Sequence, residues 1–159
     1  PRKEKIQDFS NPTVITRALF SFLYFVLNYL SGKYFPLPVN GIDYFFSWIG
    51  AGIFLAGVGL CVWAKITMGK EWGIPAEHNK TRQFKLITHG PFRYTRNTIY
   101  LGIFMVMIGY GLSAQSYFTF LALIPIYYFW QSAVEEENLL EHHFKQEYVK
   151  YKKEVPRFF

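Results

Sequence analysis

From Asn97 to Val134 the chain carries no charged residue, a run of 38 positions. A single α-helix of that length would extend about 57 Å, nearly twice the roughly 30 Å hydrocarbon core of a bilayer. The run must therefore fold back on itself. Gly109, Gly111, Ser113 and Gln115 cluster near its middle. The spacing predicts a membrane hairpin over 98–134 that turns between Gly109 and Ser116, its second helix kinked at Pro125.

Two earlier segments have the same character. Thr13 to Leu30 is apolar except for Arg17, whose long stem allows its head to snorkel to the interface. Asn11-Pro12 makes a helix start for it, and its length, its lack of a small-residue cleavage site and the following Lys33-Tyr34-Phe35-Pro36 argue against a cleavable signal peptide. Tyr44 to Ala64 is free of charge, so a second span is expected over 44–68 after a loop containing Pro36, Pro38, Asn40 and Gly41. Gly50, Gly52, Ala56, Gly57 and Gly59 give that span a small-residue stripe that lets helix backbones approach closely in lipid. The same glycines follow no strand, which is the wrong context for a nucleotide-binding turn.

The expected fold class is therefore all-α: a polytopic membrane helical bundle in one domain over 1–159, with about four transmembrane helices and a cofactor-binding C-terminal region on the cytoplasmic face. The composition agrees, with 51% of residues apolar and 18% charged, against about 25% charged in an average soluble domain. Such apolar content excludes disorder, and the single cysteine, Cys61, excludes an intramolecular disulfide. Its place in a membrane helix also disfavours a nucleophilic-cysteine enzyme, because a thiol there stays protonated.

Basic residues set the orientation. Every Lys and Arg except Lys33 lies in 1–17, 65–96 or 145–157. Four crossings put these regions on one face, which the positive-inside rule makes cytoplasmic, with both termini. That face belongs to a plasma or inner membrane in a prokaryote and to the endoplasmic reticulum in a eukaryote. The expected layout is a tail over 1–12, spans over 13–30 and 44–68, a cytoplasmic loop over 69–98, the hairpin, and a cytoplasmic helix and tail over 135–159. All four histidines, His78, His89, His142 and His143, fall on the cytoplasmic side, as do all acids except Asp43. The net charge of +6 then reflects topology and attraction to anionic headgroups, and no nucleic-acid partner is expected. No metal site is expected either, since Glu137, Glu141, His142 and His143 match neither the two-histidine helical zinc motif nor a cysteine cluster.

Most functional polar groups sit in 86–100 (LITHGPFRYTRNTIY) and 135–159 (EEENLLEHHFKQEYVKYKKEVPRFF). These segments flank the hairpin, so its closure brings them together at the membrane surface. Three glutamates directly after an apolar helix need water, a partner or a cation; the plain alternative is that they only mark the helix end.

Here the sequence resembles the isoprenylcysteine carboxyl methyltransferase family. Gly90, Pro91, Tyr94, Arg96, Asn97, Tyr100 and Gly102 match the first part of that family's pattern. Glu136, Glu137, Leu140, Phe144, Glu147, Tyr148 and Tyr151 match the second, in the right order and separation. The resemblance implies an S-adenosylmethionine-dependent methyltransferase of the membrane whose site is wrapped by this region. Its implied cofactor contacts are Leu86, His89, Gly90, Pro91, Tyr94, Arg96, Asn97, Tyr100, Glu136 and Glu137, with Arg96 and Glu137 as catalytic candidates. Two departures stand out: Thr98 replaces a proline, leaving Asn97 to cap the helix, and Lys145 replaces a glycine before the last helix.

The chemistry of the cofactor agrees with these residue types, since a sulfonium and an amino acid end call for carboxylates, aromatic faces and donors to a carboxylate. The expected reaction is direct methyl displacement by a lipophilic or lipidated acceptor that enters from the bilayer, with membrane lipids as neighbours. A carboxylate, thiol or lipid amine all remain open as the acceptor, and Arg93 and Arg96 are alternatively headgroup-binding residues. His89 is alternatively a support for the turn before Gly90, and Tyr148, Tyr151 and Phe158 alternatively pack the tail onto the membrane surface. A sterol-reductase-like oxidoreductase using reduced nicotinamide dinucleotide and a non-catalytic lipid-binding protein are the competing classes. The oligomeric state is open.

Overall fold

The computed structural model describes residues 12–35, 41–71 and 85–158. Residues 1–11 of the expected tail over 1–12, the loop residues Pro36, Pro38 and Asn40, and His78 lie outside the described residues. The described chain is helical, with no strand: α1 Pro12–Tyr34, α2 Gly41–Met68, α3 Thr98–Ser113, α4 Leu123–Phe144 and α5 Gln146–Glu154. Short 3-10 turns occupy Gly69–Glu71, Gly90–Arg93 and Tyr117–Ala122.

Among the described residues one helical stretch, Tyr44–Met68, is by itself long and apolar enough to cross a membrane, and only 11% of its most apolar window is buried. Such a helix is not the core of a soluble domain. Trp48, Leu55, Val62, Trp63 and Ile66 all face outward from it, an apolar surface of the kind that lipid or a partner covers.

The other face of α2 lies against α3, and glycines on both helices make the approach possible. A methyl group at Gly57 would stand 2.7 Å from the Gly102 carbonyl oxygen, and one at Gly109 would stand 2.7 Å from that of Gly50. The pairs Gly50/Gly109 and Gly57/Gly102 thus run antiparallel, each helix offering glycines seven residues apart, two helical turns. Gly52 and Gly59 have nothing within 4 Å, so the expected small-residue stripe divides into a packed side and an open side. Gly109 and Gly111 serve packing inside α3 instead of the turn. α3 continues to Ser113, and the reversal is made at Ala114–Ser116, where Gln115 takes a positive φ of 48°.

α1 packs parallel to α3 and antiparallel to α4. Tyr24 donates its hydroxyl to the Met107 carbonyl at 2.7 Å, and Phe20 stacks on Tyr128 with ring centroids 5.4 Å apart. Its inward face is polar: Arg17, Tyr24, Asn28 and Ser31 are all buried. Pro125 does not kink α4. The helix begins at Leu123, so Pro125 falls in the first turn, where its missing N–H would have had no partner in the helix.

Between α4 and α5 the chain turns sharply at Lys145, with φ 48° and ψ −118°. That conformation suits glycine and strains a side chain, which accounts for the glycine at this position in the family pattern. Lys145→Gly is expected to raise stability by about 1 kcal/mol, read as an increased melting temperature in detergent. Gly57→Ala or Gly109→Ala is expected to lower stability by about 1–3 kcal/mol in the same assay, whereas Gly52→Ala, facing open space, leaves it unchanged or higher.

Candidate functional site

The segment over 85–97 packs against residues of α2 and of α5 and leads into α3. Two apolar clusters hold it. Ile87 and Phe92 pack with Ala64 and Met68 of α2, while Leu86 packs with Tyr148, Tyr151 and Val155. Gly90 adopts a φ of +62°, and a methyl group there would meet the Thr67 hydroxyl at 2.8 Å, so the turn into the 3-10 helix requires glycine. Pro91 follows and is buried, as is Phe92, whose carbonyl accepts the Tyr151 hydroxyl at 2.6 Å.

The segment is next stitched to the chain that follows α5. The Arg96 amide donates to the Pro156 carbonyl at 3.0 Å, and the Thr95 hydroxyl to the Arg157 carbonyl at 2.7 Å. Arg96 Nη1 donates to the carbonyls of Lys152 and Val155 at 2.7 and 2.6 Å. Its Nη2 faces both carboxylate oxygens of Glu137, at 3.3 and 3.4 Å.

Glu137 is the centre of this arrangement. Only 2% exposed, it also receives Arg157 through Nε and Nη2, each at 3.0 Å, and the side-chain amide of Asn97. Burial alone would push its carboxyl up. The hydrogen bond from Arg157, the charges of Arg96 and Arg157 and the Asn97 amide outweigh that and hold it below the usual carboxylate range. Arg157 is shifted upward in turn, chiefly by its bond to Glu137. Asn97 therefore does not cap α3 with its side chain, as Thr98 in place of proline had suggested. Its amide is committed to Glu137, and Thr98, fully buried, donates back to the Thr95 carbonyl at 2.9 Å.

The neighbouring glutamates turn to another side of α4. Glu136 accepts the Tyr100 hydroxyl at 2.9 Å. Glu135 lies 3.6 Å from Arg17 Nη2 with its side chain 66% exposed. Arg17 does not snorkel outward: it is 8% exposed, and its Nε and Nη1 are buried without a hydrogen-bond partner among the described residues. The acidic run is thus divided, with Glu137 facing Arg96 and Arg157, and Glu135 and Glu136 facing the junction of α1, α3 and α4.

Of the sequence-derived candidates, Arg96, Asn97 and Glu137 meet in one cluster and Tyr100 and Glu136 in another. Leu86, Gly90 and Pro91 shape the segment that leads up to Arg96. His89 and Tyr94 point to the surface, Tyr94 being 67% exposed. Sequence reasoning missed Arg157 and the inward role of Arg17. The signal for Arg157 was a lone arginine between Pro156 and Phe158, downstream of the matched pattern.

The described residues are all helical, with one long apolar helix and polar clusters formed around Glu137 and Glu136. The match to known proteins names the class: residues 45–147 fit the model of the phospholipid methyltransferase family, and the chain belongs to that family of isoprenylcysteine-methyltransferase-like membrane methyltransferases. No curated protein and no solved structure matches it.

The depressed Glu137 carboxyl fixes the sign of the acid response. Its contribution is complete above the usual carboxylate range, about pH 4.3, and is lost as pH falls through the depressed folded value. Glu137→Gln is expected to destabilise the protein by roughly 3–5 kcal/mol at neutral pH, because two guanidiniums lose their counter-charge, and to flatten the fall of melting temperature toward acid pH. An unchanged acid profile in the variant would remove the lock described here.

Proposed function

We propose that the protein is a multi-pass membrane methyltransferase that uses S-adenosylmethionine to methylate a lipophilic acceptor at the cytoplasmic surface. The observation that carries this reading is the α1–α3–α4 junction, where Glu135, Glu136 and the Tyr100 hydroxyl stand beside a buried Arg17 whose Nε and Nη1 have no hydrogen-bond partner among the described residues. This donor set fits the amino acid end of the cofactor. Arg17 offers N–H groups to a carboxylate, and the two glutamates offer negative charge to an ammonium and a sulfonium. When bound, the cofactor supplies an electrophilic methyl group that the acceptor's nucleophile takes by direct displacement, the carbon–sulfur electron pair remaining on sulfur.

The remaining residues hold the site in shape. Glu137, with both oxygens engaged, fixes α4 against Arg96 and Asn97 and so sets the height of Tyr100 one turn further along α3. In this reading Glu137 and Arg96 act by positioning, and Glu136 and Tyr100 by contact. Desolvation comes from the packed aromatic surroundings, including Phe129, whose ring centroid lies 6.4 Å from that of Tyr100.

Calorimetric titration of the detergent-purified protein with S-adenosylmethionine and S-adenosylhomocysteine tests the reading, with nicotinamide dinucleotides as the comparison. Micromolar binding of the methyl ligands without dinucleotide binding is expected. Glu136→Gln and Arg17→Gln should each weaken it by about tenfold, one charge-assisted hydrogen bond's worth. Dinucleotide binding with no methyl-ligand binding would overturn the assignment in favour of an oxidoreductase.

A further inference from the structure

The inward seam of α1 is polar along its length. Arg17, Ser21, Tyr24, Asn28 and Ser31 follow one another at intervals of four, three, four and three residues, which places them on one face of the helix. All but Ser21 are buried. Beyond Tyr24 the seam holds oxygens that no donor meets. We propose that Asn28 and Ser31, with the end of α3, form a binding site for one sodium ion. The site lies at the end of α3 away from Glu137, across a helix whose 16 residues span about 24 Å. It takes no part in the methyltransferase reading and does not depend on it.

Contacts on either side fix what these two residues face. One turn before Asn28, the Tyr24 hydroxyl lies against Gly111, where a methyl group would stand 2.5 Å from it. One turn after Asn28, a methyl group at Gly32 would stand 3.0 Å from the Ala114 carbonyl oxygen. Asn28, with no exposed surface, therefore faces the last turn of α3, between Gly111 and Ala114. Ser31 is one turn beyond Asn28 and next to Gly32, and it is 2% exposed. Such enclosure admits a single atom or a water molecule and nothing larger.

The chemistry of the site is one-sided. Tyr24 spends its hydrogen on the Met107 carbonyl at 2.7 Å, and Asn28 spends Nδ2 on the Tyr24 carbonyl at 2.9 Å. Asn28 Oδ1 and Ser31 Oγ are buried without a hydrogen-bond partner among the described residues. With the Ala114 carbonyl and the lone pairs of the Tyr24 phenol, the seam gathers oxygen acceptors and one uncommitted hydroxyl hydrogen. Leaving such oxygens bare is costly in a low-dielectric interior. α3 also ends here, at Ser113, and the last carbonyls of a helix carry the negative end of its dipole. Oxygen ligands suit a hard cation, and helix C-terminal ends hold sodium elsewhere in membrane interiors. These oxygens are all uncharged, so the charge they suit is single. A water molecule brings two hydrogens and leaves acceptors unmet; one ion meets them together and ties α1 to α3.

The test follows the melting temperature of the full chain in neutral detergent while sodium chloride replaces choline chloride at constant ionic strength. Sodium at about ten times its dissociation constant is expected to raise the melting temperature by about 2–4 °C. Ser31→Ala and Asn28→Ala should each move the half-saturating sodium concentration upward by at least about tenfold. A melting temperature that ignores the exchange of sodium for choline overturns the proposal. So does a Ser31→Ala protein less stable by the same margin in both salts, the mark of a bound water. A Ser31→Ala protein more stable in both salts overturns it too, since that is the mark of a bare hydroxyl. Should Asn28→Ala fail to fold, Ser31→Ala, which removes a single heavy atom, and the salt comparison on the unmodified chain decide. No methyl ligand enters the measurement, so its failure and the failure of the methyltransferase reading are separate results.

Discussion

The organisation of the site depends on one buried carboxylate. Glu137 receives donors from Arg96, Asn97 and Arg157, and these residues come from the segment before α3 and the chain after α5. A carboxylate removed from water this completely is tolerable only when its lone pairs are filled and its charge is met. The two segments are therefore obliged to converge on α4, and their convergence fixes the relation of Tyr100 to Glu136. Backbone bonds extend the same attachment, since Arg96 also gathers the carbonyls at the end of α5.

The lock stands on a helical base that is assembled by a different force. α2 and α3 are apolar nearly all round, and apolar side chains gain little by leaving lipid for one another. What brings them together is close backbone approach through Gly50, Gly57, Gly102 and Gly109, where dispersion contacts accumulate over a long interface. α3 is thereby held at a set depth against α2, and Thr98 and Tyr100 at its beginning are placed by that depth. Polar bonds at one end and glycine packing along the length thus constrain the same helix from two directions.

Much of this was legible in the residues. The length of the uncharged run required a reversal, and charge-free segments marked α2 and α3 well. The paired patterns around Arg96 and Glu137 marked which segments would meet. Less legible was anything decided by direction around a helix axis. Glu136 and Glu137 look equivalent as neighbours in sequence, yet about 100° of helical rotation sends them to different partners. The same holds for Gly50 and Gly52, one packed and one open. Gly109 and Gly111 read as turn residues because glycine signals both turns and close packing, and only the presence of Gly50 and Tyr24 opposite them decides which. Arg17 was read as an interfacial side chain because its partners lie more than a hundred residues away.

The order in which the lock's parts occur along the chain bears on how the protein is made. Arg96 and Asn97 precede Glu137, and Arg157 follows it by 20 residues. At a synthesis rate of about 5–20 residues per second, Glu137 waits roughly one to four seconds for its strongest partner to leave the ribosome. During that interval α4 holds a carboxylate only partly neutralised, and the reversal at Lys145 has yet to bring the following segment back. Packing of the helices and closure of the site are thereby separated in time, so the α3–α4 reversal can form before the polar end of the bundle is sealed.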